Sequence, residues 1–280
     1  MTQTENEVVV LAHANCLDGL ASCHAAWMHF KDTADYKFMM HGDDLPNMVG
    51  KHVYMVDWSV KANVMDAILC VAHSVTVLDH HESAEKELQR FFDEDQISGT
   101  FDMKRSGAGI TWEHFHPNKQ MPYSYKLIQM RDLWQHKGHK LEKSVDYLTS
   151  ALYSRDMTIQ AFDDMYLKSD LLIAEGKVLI RQLDKRKEAA LKKWRWATYN
   201  NHKIVVINDT SSDVLNNILL KNENADYAVG YTDISDKTVY SLRSTDERVN
   251  VSEVAVSLGG GGHSNASGCS TKLGAHFFDE

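Results

Sequence analysis

No apolar run in this 280-residue chain reaches 18 residues, which excludes a transmembrane helix. Cysteine is scarce and scattered. Cys16, Cys23, Cys70 and Cys269 form no C-x-x-C pair, which argues against a zinc ribbon and a disulfide framework and suits a reducing cytoplasm. A cationic excess is missing too: 30 Lys and Arg stand against 39 Asp and Glu, a net charge of -9, so a long nucleic-acid footprint is not expected. A small anionic substrate stays open, because carboxylates that hold divalent cations leave a site far less negative than the formal count. There is no internal repeat and no low-complexity tract, and Met1 to Glu7 is polar and acidic, unlike a secretory leader.

What is present is 43% apolar residues, ordinary for a globular protein, in a chain long enough that two domains are expected. Three short apolar runs in the first eighty residues each end in a metal-ligand type. Val8 to Ala12 leads into His13, Val53 to Val56 into Asp57, and Val75 to Leu78 into Asp79-His80-His81. Runs of this kind read as buried parallel strands, and ligands in open α/β sheets gather beyond the carboxyl ends of such strands.

Helical patterns follow each run: Gly19 to Phe30, Lys61 to Val71 and Glu82 to Phe91, with a further strand at Ala34 to His41. Ser106 to His116, Tyr123 to His136 and Leu141 to Tyr153 also read as helical, and this stretch offers a surface for a homodimer. Met157 to Trp196 is long, charged and heptad-like, its second half predicted as a spacer helix. Beyond it, strands are expected at Lys203 to Ile207, Tyr227 to Tyr231 and Thr238 to Arg243, with helices at Asp213 to Lys221 and Val251 to Leu258, the latter capped by Asn250 or Ser252.

Singly, these polar ends have plain structural readings. His13 can be a satisfied loop residue, Asp18 a helix cap, Asp57 a turn cap and Gly19 a tight-turn residue. Asp79-His80-His81 is harder to explain so, since two imidazoles and a carboxylate at a sheet mouth are costly to bury unpaired. Together they favour a divalent-metal site. Gly259-Gly260-Gly261-Gly262-His263 follows a predicted helix rather than lying at a boundary, which suits a loop offering backbone N–H groups to a phosphate with His263 as an added donor.

His13 to Gly19, Asp57, Asp79-His80-His81 and the block from Ser241 to Gly268 resemble the DHH phosphoesterase family with its DHH-associated C-terminal domain. The resemblance implies an α/β fold: a parallel-sheet catalytic domain over residues 1–175, a linker helix over 176–197, and a smaller α/β substrate-binding domain over 198–280. It implies two divalent ions, manganese first and magnesium second, held by His13, Asp18, Asp57, His80 and Asp132, with Asp57 bridging. Asp132 also reads as a surface carboxylate beside Arg131. By the same resemblance Asp79 orients His80, His81 faces the scissile phosphate, and Arg243, Gly260, Gly261, Gly262 and His263 bind substrate, with the glycine domain closing over it.

The chain departs from the family pattern after His13, where one Asp, Asp18, stands and Asn15 and Cys16 occupy the loop. Either could complete the first ion's ligands, or Cys16 could be a small packing residue. The expected activity is hydrolysis of short oligonucleotides or of cyclic or linear dinucleotides. A pyrophosphatase or polyphosphatase, and a nucleotide-binding protein without catalysis, are the alternatives.

Overall fold

The computed structural model describes residues 7–279; Met1 to Asn6, read above as polar and acidic, lie outside them. Two compact units divide between Ile180 and Arg181.

In the first unit the chain runs β1 (Val8–His13), α1 (Leu17–Phe30), a 3-10 turn, β2 (Ala34–Met39), β3 (His52–Val56), α2 (Ala62–Leu69), β4 (Ser74–Asp79), α3 (Glu82–Asp93) and β5 (Ser98–Phe101). The five strands form one sheet in the order β2-β1-β3-β4-β5, and every pairing is parallel. After β1 the chain steps to β2 on one side, then returns to β3 on the other and grows outward. The switch point therefore lies between β1 and β3, the crevice where open parallel sheets place ligands.

Alternation along the strands explains why both faces are covered. Val9 and Leu11 pack with Met65, Ile68, Leu88 and Phe91 of α2 and α3. Their neighbours Val10 and Ala12 pack with Cys23 and Ala26 of α1 and with Ile110 on the opposite face. A helical layer completes that side: α4 (Gly107–Phe115), α5 (Tyr123–Asp132), α6 (Glu142–Tyr153), α7 (Ile159–Asp163) and the start of α8 (Ser169–Ala190). Helix α1 lies between sheet and helices, and Leu17 through Ala26 are all buried. Small residues such as Ala21, Ala25 and Ala26 permit that double contact.

The second unit holds β6 (Arg195–Tyr199), β7 (His202–Ile207), α9 (Ser212–Lys221), β8 (Tyr227–Ile234), β9 (Lys237–Arg243), α10 (Val251–Ser257), β10 (Gly261–His263) and β11 (Ala266–Lys272). Its sheet runs β10-β11-β9-β8-β7-β6, with only β7 and β8 parallel.

Several expected elements need correction. Helix α5 stops at Asp132, where Trp134 takes a positive φ of 56°, instead of running to His136. The linker helix assigned to 176–197 is helical only to Ala190, and Arg195 already belongs to β6. Strands β5, β6, β10 and β11 were not expected. β11 reads Ala-Ser-Gly-Cys-Ser-Thr-Lys, too small and polar to announce itself by alternation, and it becomes a strand because β9 lies along it. No helix among the described residues is long and apolar enough to cross a membrane.

Candidate metal centre

Because β1, β3 and β4 are parallel, their carboxyl ends meet at one edge, and the side chains just beyond them converge. Asp57 is the hub. Its Oδ1 lies 3.2 Å from His80 Nε2, and its Oδ2 lies 3.7 Å from His13 Nδ1. His80 Nε2 also stands 3.8 Å from Asp18 Oδ2 and 3.5 Å from Asp132 Oδ2. All five residues expected as ligands are thus gathered. Ligand-type atoms fall into overlapping groups, among them His13, Cys16 and Asp57, and Asp18, His80 and Asp132.

Asp132 is delivered by the last turn of α5. The surface-pair reading fails, because Arg131 reaches Asp146 at 2.9 Å instead. Asp18 enters from the first turn of α1 and accepts the Ala108 N–H at the amino end of α4, at 3.2 Å. Asp57 holds a left-handed backbone, φ 54°, a conformation that Asp tolerates better than most residues. Its own N–H donates to the Leu78 carbonyl at 2.9 Å, which ties the ends of β3 and β4 together.

Two glycines admit this crowding. Gly107 faces Asp57, and Gly19 faces the His13 carbonyl, each so closely that a Cβ would fall well inside van der Waals contact. Gly19 serves by this approach rather than by a turn conformation, which Asn15 supplies with φ 57°. Sequence reasoning missed Gly107 and also Ser59, whose hydroxyl donates to Asp79 Oδ2 at 2.9 Å. A Ser-Gly-Ala-Gly helix start at Ser106 was the available signal for the first.

Asp79 differs from its expected role. Its Oδ1 accepts the backbone N–H of His80 at 2.7 Å and lies 2.6 Å from His81 Nδ1, so it fixes the His81 ring and only the main chain of His80. The Asp79 hydrogen bond holds the His81 imidazole charged, with its pKa pushed up to about 9. The carboxylates fare differently. Burial, then the charges of Asp57 and Asp132, push Asp18 well above the usual carboxylate range. Burial likewise raises Asp132. Burial also opposes charge on Asp57, but the nearby His13 imidazole and the hydrogen bond from His80 overcome it and its pKa falls.

Asp18 and Asp57 are 1% and 2% exposed, yet the Oδ2 atom of each lacks a hydrogen-bond partner. Buried carboxylate oxygens without partners are costly, and a divalent cation would remove that cost and the mutual repulsion together. The donor set therefore fits divalent metal: carboxylate oxygens and imidazole nitrogens, with two orphaned acceptors aimed among them. A cavity of about 530 Å³ opens alongside, lined in part by His13, Asp57, His81, Trp58, His41 and Lys61.

In the second unit the glycine block is more ordered than the loop expected from sequence. The Gly259 and Gly260 N–H groups donate to the Val256 and Ala255 carbonyls and close α10, so they are not offered to a ligand. Gly261 to His263 form the edge strand β10, and Gly260 and Gly262 lie so near β11 that side chains would not fit. His263 is exposed. Arg243 donates to the Leu242 carbonyl at 2.8 Å and to Ser212 Oγ at 2.7 Å. Asn250, not Ser252, caps α10.

No family model matches the chain. An uncharacterized protein of Acanthamoeba polyphaga mimivirus is 31% identical over 287 residues, covering 93% of this chain and 66% of that protein. Oligoribonuclease NrnB of Bacillus subtilis is 24% identical over 216 residues, covering 70% of this chain and 52% of NrnB. The chain thus spans between about half and two thirds of these curated relatives. Among solved structures, the pGpG-specific phosphodiesterase PggH of Vibrio cholerae shares the fold, with a TM-score of 0.52 at 15% identity over 95% of this chain and 93% of that one. With His13, Asp18, Asp57, the Asp79-His80-His81 triplet and Asp132 at the edge of a parallel sheet, the chain resembles the DHH phosphoesterases, in keeping with its similarity to NrnB and the fold it shares with PggH.

Proposed function

We propose that the protein is a divalent-cation-dependent phosphodiesterase that hydrolyses short oligonucleotides or dinucleotides to mononucleotides. The observation that carries this reading is the pair of buried, unpartnered carboxylate oxygens of Asp18 and Asp57, flanked by His13 and His80. The likeness to an oligoribonuclease supports the substrate class.

His13 and Asp57 would hold one cation, and Asp18, His80, Asp132 and Asp57 the other. Manganese suits imidazole and carboxylate together better than magnesium, which favours oxygen alone. Such a pair, when bound, acidifies water and neutralises charge growing on phosphoryl oxygens. The residues do the remainder. Asp57 directs one oxygen to each half of the site, so both halves keep a fixed separation. His81 is half exposed at the rim of the cavity and is held by Asp79 with Nδ1–H engaged, which leaves Nε2–H to donate to a non-bridging phosphate oxygen. Arg243, Gly261, Gly262 and His263 are assigned to substrate recognition, while Gly260, its N–H spent on the Ala255 carbonyl, only shapes the loop, and replacing His263 with Ala should mainly raise KM.

The test is incubation of the full chain with manganese and either a linear dinucleotide or pyrophosphate, with products separated by chromatography. Release of mononucleotides is expected. Turnover of pyrophosphate alone would identify a pyrophosphatase, and tight dinucleotide binding without turnover would identify a binder; either overturns the proposal.

A further inference from the structure

The two halves of the centre are not chemically alike. Asp18, His80 and Asp132 offer only oxygen and nitrogen, whereas the group around His13 contains sulfur. His13 Nδ1 or Nε2, Cys16 Sγ and an Asp57 carboxylate oxygen all lie within 4.8 Å of one another.

Three observations separate Cys16 from a packing residue. It occupies the N-cap position of α1, yet its side chain makes no capping hydrogen bond. Asn15, its competitor on the loop, turns its amide toward Met40 Sδ at 3.9 Å. Most directly, Asp57 Oδ2 belongs to a side chain 2% exposed, has no hydrogen-bond partner, and is the oxygen that faces His13. The other cysteines differ. Cys23 and Cys269 are buried in the apolar cores, and Cys70 donates to the Asp66 carbonyl at 3.2 Å.

We propose that Cys16 Sγ ligates the cation held by His13 and Asp57, giving a mixed nitrogen, oxygen and sulfur site that prefers a softer ion such as zinc or cobalt(II), beside a harder site at Asp18, His80 and Asp132. The assignment rests on the two-cation reading and revises the identity of one ion. Thiolate sulfur selects softer first-row ions, while carboxylates and imidazole alone do not. Coordination transfers the thiol proton to solvent, and the sulfur–metal bond takes its place.

The experiment uses the full chain, stripped by chelation and titrated anaerobically with cobalt(II). Absorption and bound metal are read for the native chain, Cys16→Ser and Cys16→Asp, with circular dichroism to confirm that each variant is folded. Two cobalt ions per native chain, with a near-ultraviolet sulfur-to-cobalt charge-transfer band, are expected. The band should vanish in both variants, and Cys16→Asp, which restores an oxygen ligand, should still bind two ions but lose the preference for zinc over manganese. Two bound cobalt ions without the band, or a band that survives Cys16→Ser, would overturn the sulfur assignment alone. Failure of the native chain to bind cobalt would remove the two-cation reading and this assignment with it.

Discussion

Asp18 shows at the residue level how chemistry and stability oppose each other. Its carboxyl is buried, crowded by Asp57 and Asp132, and unpartnered at Oδ2. Asp18→Asn removes the charge, keeps an acceptor for the Ala108 N–H and supplies a donor toward Asp57. In chelator it should raise stability by about 1–3 kcal/mol, the usual cost of a buried unsatisfied group. Cation-dependent turnover should be lost at the same time. A lower melting temperature in thermal unfolding would contradict the argument. Gly107→Ala makes a contrasting case. Helix propensity alone favours Ala by about 1 kcal/mol, but the new methyl would meet Asp57 side-chain and backbone atoms. Overpacking of this kind costs about 1–3 kcal/mol, so the clash should win, with lower stability and loss of turnover in the same assay.

Helix α1 carries the comparable tension at the level of elements. Enclosed between sheet and helices, it buries His24 completely, with Nδ1 2.6 Å from the Tyr125 hydroxyl and Nε2 2.9 Å from Asp163. Burial lowers the His24 pKa, and Asp163 offsets this only in part. The folded value lies below the unfolded value of about 6.5, so the unfolded chain binds more protons between the two. His24's contribution is therefore complete above about pH 6.5 and is lost as pH falls through that value toward the folded pKa. His24→Gln should flatten the acid side of the stability curve relative to the native chain, read by urea unfolding from pH 8 to 5 in chelator. His114 and His116, also lowered by burial, titrate in both proteins and cancel in the difference. Equal slopes would rule out the assignment.

For the whole molecule, the proposed ligands come from β1, α1, α5 and the residues just beyond β3 and β4 and meet only in the folded first unit, so cation binding should be linked to folding. A cation at 100 times its Kd adds about 2.7 kcal/mol per site, which for a unit of this size raises Tm by roughly 5–10 °C. Calorimetry with manganese and with chelator should show that difference for the native chain. Asp57→Ala, which removes a donor from both halves of the centre, should abolish the difference together with turnover. A normal shift in that variant would exclude Asp57 as the shared ligand.

The sequence alone determined whatever depends on local pattern. Apolar runs ending in His13, Asp57 and Asp79-His80-His81 announced strands, their direction and the edge where ligands meet, because alternation and strand-end chemistry are properties of a few adjacent residues. Tertiary structure decided the partnerships. It brought Asp132 to His80 while sending Arg131 to Asp146, turned Asp79 toward His81, set Gly107 against Asp57, and made a strand of the polar segment Ala266–Lys272. Those outcomes depend on distances between segments far apart in the chain, which only the packing of sheet against helix establishes.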